Sequence, residues 1–190
     1  MPSSRMRSLI AHALWNRLDT PGHDAAFLFG TGGGFTLEGT AVFRAAQGPA
    51  RVAYRVELNP DWSARSGSVT GELGDSRITH DIARDADGWR LNGARVGLAH
   101  LRDLDFGFTP ATNMPALRRV ALAVGESAYL PAAWFDVEAP HRDLIELPQH
   151  YERCRETAYF YRSPTASYEA VLEVAPSGFS RIYPGLWEMV

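Results

Sequence analysis

The sequence predicts an all-β fold in which an antiparallel sheet curls into a barrel-like shell, with at most one or two short helices. Three observations support this prediction. Apolar and polar residues alternate with a period of two along most of the chain, as in strands with one buried face. Turn-forming residues recur every roughly 8 to 12 residues, the spacing of antiparallel all-β folds. No stretch sustains a helical period. So many strands must curl or divide into two layers.

The alternation is clearest in residues 35–43, 51–58 and 166–174. Each segment places apolar side chains on one face and charged or hydroxyl-bearing side chains on the other, which predicts a half-buried strand. Short helices could occupy residues 112–119 and 148–156. Weaker alternation predicts further strands over residues 9–17, 24–30, 63–73, 76–84, 98–106, 119–124, 128–137, 157–162 and 179–183.

Glycine, proline, asparagine and aspartate punctuate these runs and predict the turns between strands. The glycine run at residues 30–34 precedes a strand pattern. A phosphate loop would need a following Lys-Ser/Thr, and a dinucleotide loop a following helix, so the run predicts a hairpin turn. The other turn signals are Pro21-Gly22, Gln47-Gly48-Pro49, Asn59-Pro60-Asp61, Gly74-Asp75, Asp87-Gly88, Asn92-Gly93, Ser163-Pro164 and Ser177-Gly178.

Length and composition indicate a single globular domain over residues 1–190, with an ordered β core over about 9–187. The chain is 45% hydrophobic and 22% charged, as ordinary domains are. The 22 acidic residues outnumber the 19 basic residues, which argues against a general nucleic-acid binder. All the basic residues are arginine, and the absence of lysine disfavours Schiff-base and phosphate-loop chemistry.

Cys154 is the only cysteine, so we expect no internal disulfide and no multi-cysteine metal site. Near the N-terminus Arg5 and Arg7 precede a short apolar run, but His12 interrupts it and no small-residue cleavage site follows. We therefore expect no secretory signal. No apolar run reaches the length of about 18 residues that would predict a membrane-spanning helix, and we expect a cytoplasmic protein.

Motifs that carry chemistry are sparse in this sequence. The six histidines show neither the His-x-His nor the His-x-x-x-His spacing of metal ligands, and no Gly-x-Ser-x-Gly nucleophile elbow occurs. We expect no cofactor and no metal, although a zinc site of histidine with Asp103 or Asp105 stays open as an alternative.

Asp103 and Asp105 form a candidate acidic pair. In a strand both carboxylates project from one face, about 6.5 to 7 Å apart at their β-carbons, which permits a general acid and base as in glycosidases. The alternative is a solvated face or a pair satisfied by nearby arginines. Arg118 and Arg119 are such arginines. In a strand at most one of them would point inward, and it would need a carboxylate partner or a ligand.

The stretch from Asp103 to Arg119 resembles the central motif of a bacterial family named "Putative glycolipid-binding". The family pattern is Asp-x-Asp followed by Thr/Ser-Pro-x-Thr-Asn-Thr-Leu-Pro-Ile-Arg-Arg. The matching residues here are Asp103, Asp105, Thr109, Pro110, Thr112, Asn113, Arg118 and Arg119. Further matches are Tyr54-Arg55-Val56, Asp61-Trp62-Ser63 with Arg65, Gln149 with Tyr151, Tyr159-Phe160-Tyr161, and Tyr183-Pro184-Gly185-Leu186-Trp187.

Two departures from the family pattern concern the local shape of loops. Pro115 stands one position earlier than the family's proline, and Asp61 directly precedes Trp62. The resemblance implies a curled all-β fold similar to the half-barrel carriers of bacterial lipoproteins. It also implies a role in glycolipid binding or metabolism, and it implies no catalytic set.

Three functions fit these observations. The first is a protein that binds a glycolipid or lipid, with aromatic residues around acyl chains and arginines and aspartates at the polar head. The second is a hydrolase or isomerase acting on a sugar or sugar-lipid through Asp103 and Asp105. The third is a module that binds a protein partner or forms a homodimer.

We predict the first function, in a cavity of roughly 300 to 1,000 Å³ that the curled sheet leaves open, and favour a protein that is not an enzyme. Each aromatic residue could instead be ordinary core, an alternative favoured for Tyr54. The predicted ligand-binding residues are Tyr54, Trp62, Arg65, Asp103, Asp105, Asn113, Arg118, Arg119, Trp134, Tyr159 and Tyr161.

Overall fold

The computed structural model describes residues 7–190, and strands make up most of them. Arg5, part of the N-terminal pattern considered above, lies outside the described residues. The strands are β1 (Ser8–Arg17), β2 (Gly22–Thr31), β3 (Gly34–Ala45), β4 (Gly48–Leu58), β5 (Ala64–Leu73), β6 (Ser76–Asp85), β7 (Gly88–Leu91), β8 (Ala94–Gly97), β9 (Asp103–Phe106), β10 (Ser127–Tyr129), β11 (Ala132–Phe135), β12 (Ile145–Leu147), β13 (His150–Arg155), β14 (Ala158–Ser163), β15 (Tyr168–Val174), β16 (Ser180–Tyr183) and β17 (Trp187–Met189).

Fourteen of these strands form one curled antiparallel sheet. Its order is β10-β13-β14-β15-β16-β17-β1-β2-β3-β4-β5-β6-β7-β8. Most neighbours in the sheet are also neighbours in sequence, because short turns join them as hairpins. In the described part of the chain β10 and β8 are the two edges and do not pair with each other. The barrel expected from the sequence is therefore not closed.

The remaining three strands form a small sheet in the order β12-β11-β9. β9 and β11 are parallel, with Asp103 opposite Ala132, whereas β11 and β12 are antiparallel. One helix, α1 (Asn113–Val120), follows β9. Pro115 is tolerated in its first turn because amide groups there have no partner within the helix. The helix ends at Ala121, which adopts the left-handed conformation with φ 47°.

Residues 101–120 and 132–147, which carry the small sheet and α1, form an inner layer on the concave side of the large sheet. On one half of the sheet, the centroid of the Phe106 ring lies 6.1 Å from the centroid of the Tyr54 ring in β4. On the other half, Asn113 donates a hydrogen bond to Tyr151 in β13. The sequence predicted an interior left open for a ligand. The structure instead places the inner layer there. Cavities remain at its borders, one of about 260 Å³, below the predicted range, and one of about 620 Å³, within it.

The predicted all-β class is confirmed, and most of the predicted strands match observed ones. The strand predicted over residues 119–124 is wrong, because these residues contain the end of α1 and a loop. The helix offered for 148–156 is also wrong. That segment forms β13, since Tyr151 pairs with Tyr161 across the hairpin and both aromatic side chains are buried. Of 98–106, only the last four residues form a strand.

Four short strands escaped prediction: β7, β8, β12 and β17. Each has three or four residues, too few for alternation to be recognised. No helix among residues 7–190 is long and apolar enough to span a membrane.

Candidate functional site

Asp105 lies at the centre of a buried hydrogen-bond network between the inner layer and the large sheet. Thr112, just before α1, donates its hydroxyl to Asp105 Oδ1 at 2.6 Å. Gln149, just before β13, donates its amide to Asp105 Oδ2 at 2.7 Å. Burial raises the pKa of the Asp105 carboxyl above its usual value, against the two donors, which lower it.

The network continues from Gln149 to Asn113 at the start of α1 through the Tyr151 hydroxyl, which accepts one hydrogen bond and donates another. Asn113 Nδ2 donates to the Tyr151 hydroxyl at 2.8 Å, and this hydroxyl donates to Gln149 Oε1 at 3.3 Å. All these side chains are buried, so each group needs its partner. The network fixes the start of α1 and the end of β9 against β13.

Asp103 and Asp105 both face α1, as expected of residues two apart in a strand. They meet opposite ends of the helix, because β9 and α1 run antiparallel. Arg119 in the last turn binds Asp103 through Nε at 3.0 Å and Nη2 at 2.6 Å. The arginine partner that the sequence left open is therefore Arg119. The side chains of Arg118 and Arg119 point in different directions because the two residues are neighbours in a helix. The sequence-based expectation considered them as neighbours in a strand.

Tyr54 belongs to a second buried cluster, on the opposite half of the large sheet. Its hydroxyl donates to Asp24 Oδ2 at 2.9 Å, and Thr109 of the inner layer donates to the same oxygen. Asp24 Oδ1 has no hydrogen-bond partner among the described residues. Burial raises the pKa of the Asp24 carboxyl to about 6, against the Thr109 and Tyr54 donors, which lower it. Tyr54 itself is only 3% exposed.

A cavity of about 260 Å³ opens between the inner layer and the strands β14 to β17. We call it the aromatic cavity, because its walls include Trp134, Tyr161, Tyr168, Tyr183 and Trp187. Three of its polar wall residues, Asp105, Thr109 and Asn113, come from the inner layer. Aromatic walls with a few fixed polar groups are typical of small-molecule sites.

The tyrosines of the aromatic cavity keep their hydroxyl protons at neutral pH. Burial raises the pKa of Tyr161 to about 12 and that of Tyr168 to about 12. Burial also raises the pKa of Tyr183 well above its usual value. Each can therefore act as a hydrogen-bond donor as well as an acceptor.

Gly107 shapes one wall of the aromatic cavity. A β-carbon at this position would lie 2.8 Å from Trp134 Cζ2 and 2.4 Å from Asp136 Oδ2, so only glycine lets both side chains approach. Burial raises the pKa of the Asp136 carboxyl to about 6.

A second, larger cavity lies on the other side of α1. It has a volume of about 620 Å³ and separates the C-terminal half of α1 from strands β13 to β15. We call it the α1 groove. Among the residues that line it are Leu117, Arg118, Val124, Arg153, Tyr159 and Val174.

The predicted site residues are thus divided among several places. Asp105, Asn113, Trp134 and Tyr161 line the aromatic cavity, whereas Arg118 and Tyr159 line the α1 groove. Asp103, Arg119 and Tyr54 hold the inner layer in place through the contacts described above. Whether any of them contacts a ligand stays a prediction.

Trp62 and Arg65 lie near the turn between β4 and β5. The half-buried Trp62 has φ 68° and stacks on Phe35 with the ring centroids 3.8 Å apart. The Arg118 guanidinium lies 5.9 Å from the Trp62 ring centroid. Arg65 is exposed and pairs with Glu57 at 3.4 Å.

Sequence reasoning missed several residues of these clusters as site residues. Asp24 could have been found, because it shares the inward phase of Ala26 and Leu28 in the predicted strand 24–30. A carboxylate in that phase must be buried with partners. Gln149 and Asp136 carry no comparable local signal. Among residues 7–190, no group of three or more histidine, cysteine, aspartate and glutamate side chains is placed to hold a metal ion.

Comparisons with known proteins agree with this architecture. A family model described as "Putative glycolipid-binding" matches residues 12–189. The chain is similar to the crystal structure of a DUF1089 family protein from Pseudomonas aeruginosa, with a TM-score of 0.72 and 24% sequence identity over 100% of this chain and 94% of that chain. This structural likeness concerns the fold. No curated protein sequence matches the chain significantly.

Proposed function

The chain belongs to the family described as "Putative glycolipid-binding", and on that premise we propose that it binds a glycolipid whose sugar occupies the aromatic cavity. The observation that carries this proposal is the composition of the cavity wall. Six aromatic side chains line the cavity together with a few hydrogen-bonding groups of the inner layer. Aromatic faces suit the apolar side of a sugar ring, and hydroxyl and amide groups suit its hydroxyls.

Trp134 is the wall residue on which we place most of the binding free energy. It is half-buried and held by its contact with Gly107, so a sugar could cover its ring at little entropic cost. Tyr161 and Tyr183 line the cavity, although little of each side chain is exposed, and can offer their hydroxyls. Asp105 accepts hydrogen bonds from Thr112 and Gln149, and Asn113 Nδ2 donates to Tyr151, so we assign these two residues the role of holding the polar wall in position.

Titration with octyl glucoside, kept below its critical micelle concentration, tests the proposal. We expect octyl glucoside to raise the melting temperature and octanol to have a much smaller effect, because only the former carries a sugar. Trp134→Ala should weaken binding by at least about tenfold, as truncation of a central aromatic residue does. Tyr129→Ala is the matched control, since Tyr129 is 50% exposed on the edge strand β10.

Circular dichroism establishes that the variants are folded, and Tyr168→Ala serves as a second cavity variant. Native mass spectrometry of the gently purified protein adds an independent readout, because a retained glycolipid appears as extra mass. The proposal is wrong if octyl glucoside and octanol shift the melting temperature equally, or if Trp134→Ala and Tyr129→Ala bind alike.

A hydrolase or isomerase is the second candidate function, and the raised pKa of Asp105 is the observation that favours it. A general acid must hold its proton near neutral pH. Asp103 is less suited to the partner role, because it is bound to Arg119. Sugar release from nitrophenyl glycosides by the unmodified protein, lost in Asp105→Asn, would support this candidate. Equal rates in both proteins would exclude it.

A further inference from the structure

We propose that the α1 groove is a separate binding site for the acyl chain and head of an anionic amphiphile. Its volume of about 620 Å³ is within the range of small-molecule sites, roughly 300 to 1,000 Å³. The site lies on the opposite side of α1 from the aromatic cavity. The proposal does not require that cavity to bind sugar.

The apolar part of the groove suits a hydrocarbon chain. Leu117 of α1 and Val174 of β15 face it, together with the Tyr159 ring of β14. Val124, at the groove, is 54% exposed. Covering such side chains with an acyl chain is favourable, because it removes apolar surface from water.

Two guanidinium groups give the groove its preference for an anion. Arg118 and Arg153 both line it, and neither occurs among the ion pairs described for residues 7–190. Glu156 is the one acidic residue of the lining, so the cations outnumber it. An anionic head supplies the carboxylate or phosphate oxygens that these arginines lack.

Arg153 is held in a fixed position at the groove. Its Nη1 donates to the Leu122 carbonyl at 2.7 Å and its Nη2 to the Glu156 carbonyl at 2.8 Å. The Nε atom is buried and has no hydrogen-bond partner among the described residues. Arg118 is exposed and donates to the Ser177 carbonyl at 2.7 Å. It can turn towards a ligand without breaking an ion pair.

Binding of dansyl-undecanoate, a fluorescent fatty acid, measures this site. We expect saturable binding that dodecanoate and lauroyl lysophosphatidylglycerol displace and that dodecanol displaces at least about tenfold less well, because it lacks the anion. Stronger displacement by the lysolipid would identify phosphate as the preferred head. Stronger displacement by dodecanoate would identify carboxylate.

Two exposed positions allow variants with matched controls. Val124→Glu should weaken dansyl-undecanoate binding by at least about tenfold, because it places a like charge in the groove. Val42→Glu, at a valine that is 52% exposed outside the groove, should leave binding unchanged.

Arg118→Gln should weaken binding by about 10- to 100-fold through loss of a charged hydrogen bond. Arg181→Gln, outside the groove, should not. Glu156→Gln should strengthen binding.

The inference is wrong if dansyl-undecanoate does not bind, if dodecanol competes as well as dodecanoate, or if Val124→Glu and Val42→Glu bind equally. Trp134→Ala separates this result from the proposed function. It should weaken octyl glucoside binding and leave dansyl-undecanoate binding unchanged.

Discussion

Arg119 and Asp103 form a two-bond ion pair that ties the last turn of α1 to the first residue of β9. The Asp103 side chain is 4% exposed and that of Arg119 is 16% exposed. Both residues belong to the segment that resembles the central motif of the family. The pair therefore gives a structural reason for an aspartate and an arginine at these positions: they orient the helix between the aromatic cavity and the α1 groove.

Removal of Arg119 should be strongly destabilising. Arg119→Ala leaves a buried carboxylate without its partner, which costs about 3 to 5 kcal/mol. Arg119→Lys should cost less, because lysine keeps the charge. Some cost should remain, because lysine cannot supply the planar two-bond geometry. Urea denaturation at neutral pH measures both. Arg181→Ala, which breaks the exposed pair with Glu173, should cost at most about 1 kcal/mol. Equal losses in Arg119→Ala and Arg181→Ala would contradict the prediction.

Gly67 of β5 should tolerate no side chain while Leu104 of β9 is present. A β-carbon at position 67 would lie 2.5 Å from Leu104 Cδ2 and 3.2 Å from Phe106 Cζ. Gly67→Ala should therefore cost about 1 to 3 kcal/mol through overpacking. Leu104→Ala alone should cost about 2 to 5 kcal/mol through the cavity it leaves.

The double variant Gly67→Ala/Leu104→Ala should be less destabilised than the sum of the single variants, because the new methyl group occupies space that Leu104 vacates. Urea denaturation of the four proteins gives the coupling free energy. Strict additivity would mean that the inner layer does not pack on β5 as described.

Asp24 should make the folded state less stable as pH rises. Its folded-state pKa of about 6 exceeds the ordinary 3.8, so the folded protein binds the proton more tightly between these values. The stability that this tighter proton binding contributes is fully present below pH 3.8 and is lost as pH rises through about 6. The difference is about 3 kcal/mol.

Asp24→Asn cannot titrate and should lack this contribution. Relative to the unmodified protein, its free energy of unfolding should therefore rise by about 2.4 kcal/mol between pH 4 and pH 7. Urea denaturation across this range measures the difference, with the exposed Asp75→Asn as the control. A difference that does not vary with pH would show that Asp24 is not desolvated.

Gln149 should affect the pKa of Asp105 as well as stability, because its hydrogen bond to this carboxyl lowers that pKa. Gln149→Leu removes a donor to a buried carboxylate and should cost about 1 to 3 kcal/mol. Gln149→Glu places a second carboxyl beside the first and should cost more at neutral pH. The excess should shrink in acid, when one carboxyl binds a proton. Urea denaturation at pH 5 and pH 7 tests this, and an unchanged excess would contradict it.

The strands of the large sheet were largely predictable from local pattern. In β4, for example, Val52, Tyr54 and Val56 alternate with charged or small residues, and all three are buried. Gly48 and Pro49 precede this run and Asn59 and Pro60 follow it, so both the period and its boundaries are present in a short window. The short helix after Thr112 was also predicted, within one residue of its observed bounds.

The sequence by itself determined that this chain forms a curled antiparallel sheet with short turns, because a strand and its hairpin are specified by residues that are neighbours. Only the tertiary structure decided what occupies the concave side and which groups pair there. Thr109 meets Asp24 across 85 positions, and Gln149 meets Asp105 across 44. Such partners are chosen by how distant segments pack, since a buried carboxylate bonds to whichever donors the fold brings within reach. No local periodicity contains that information.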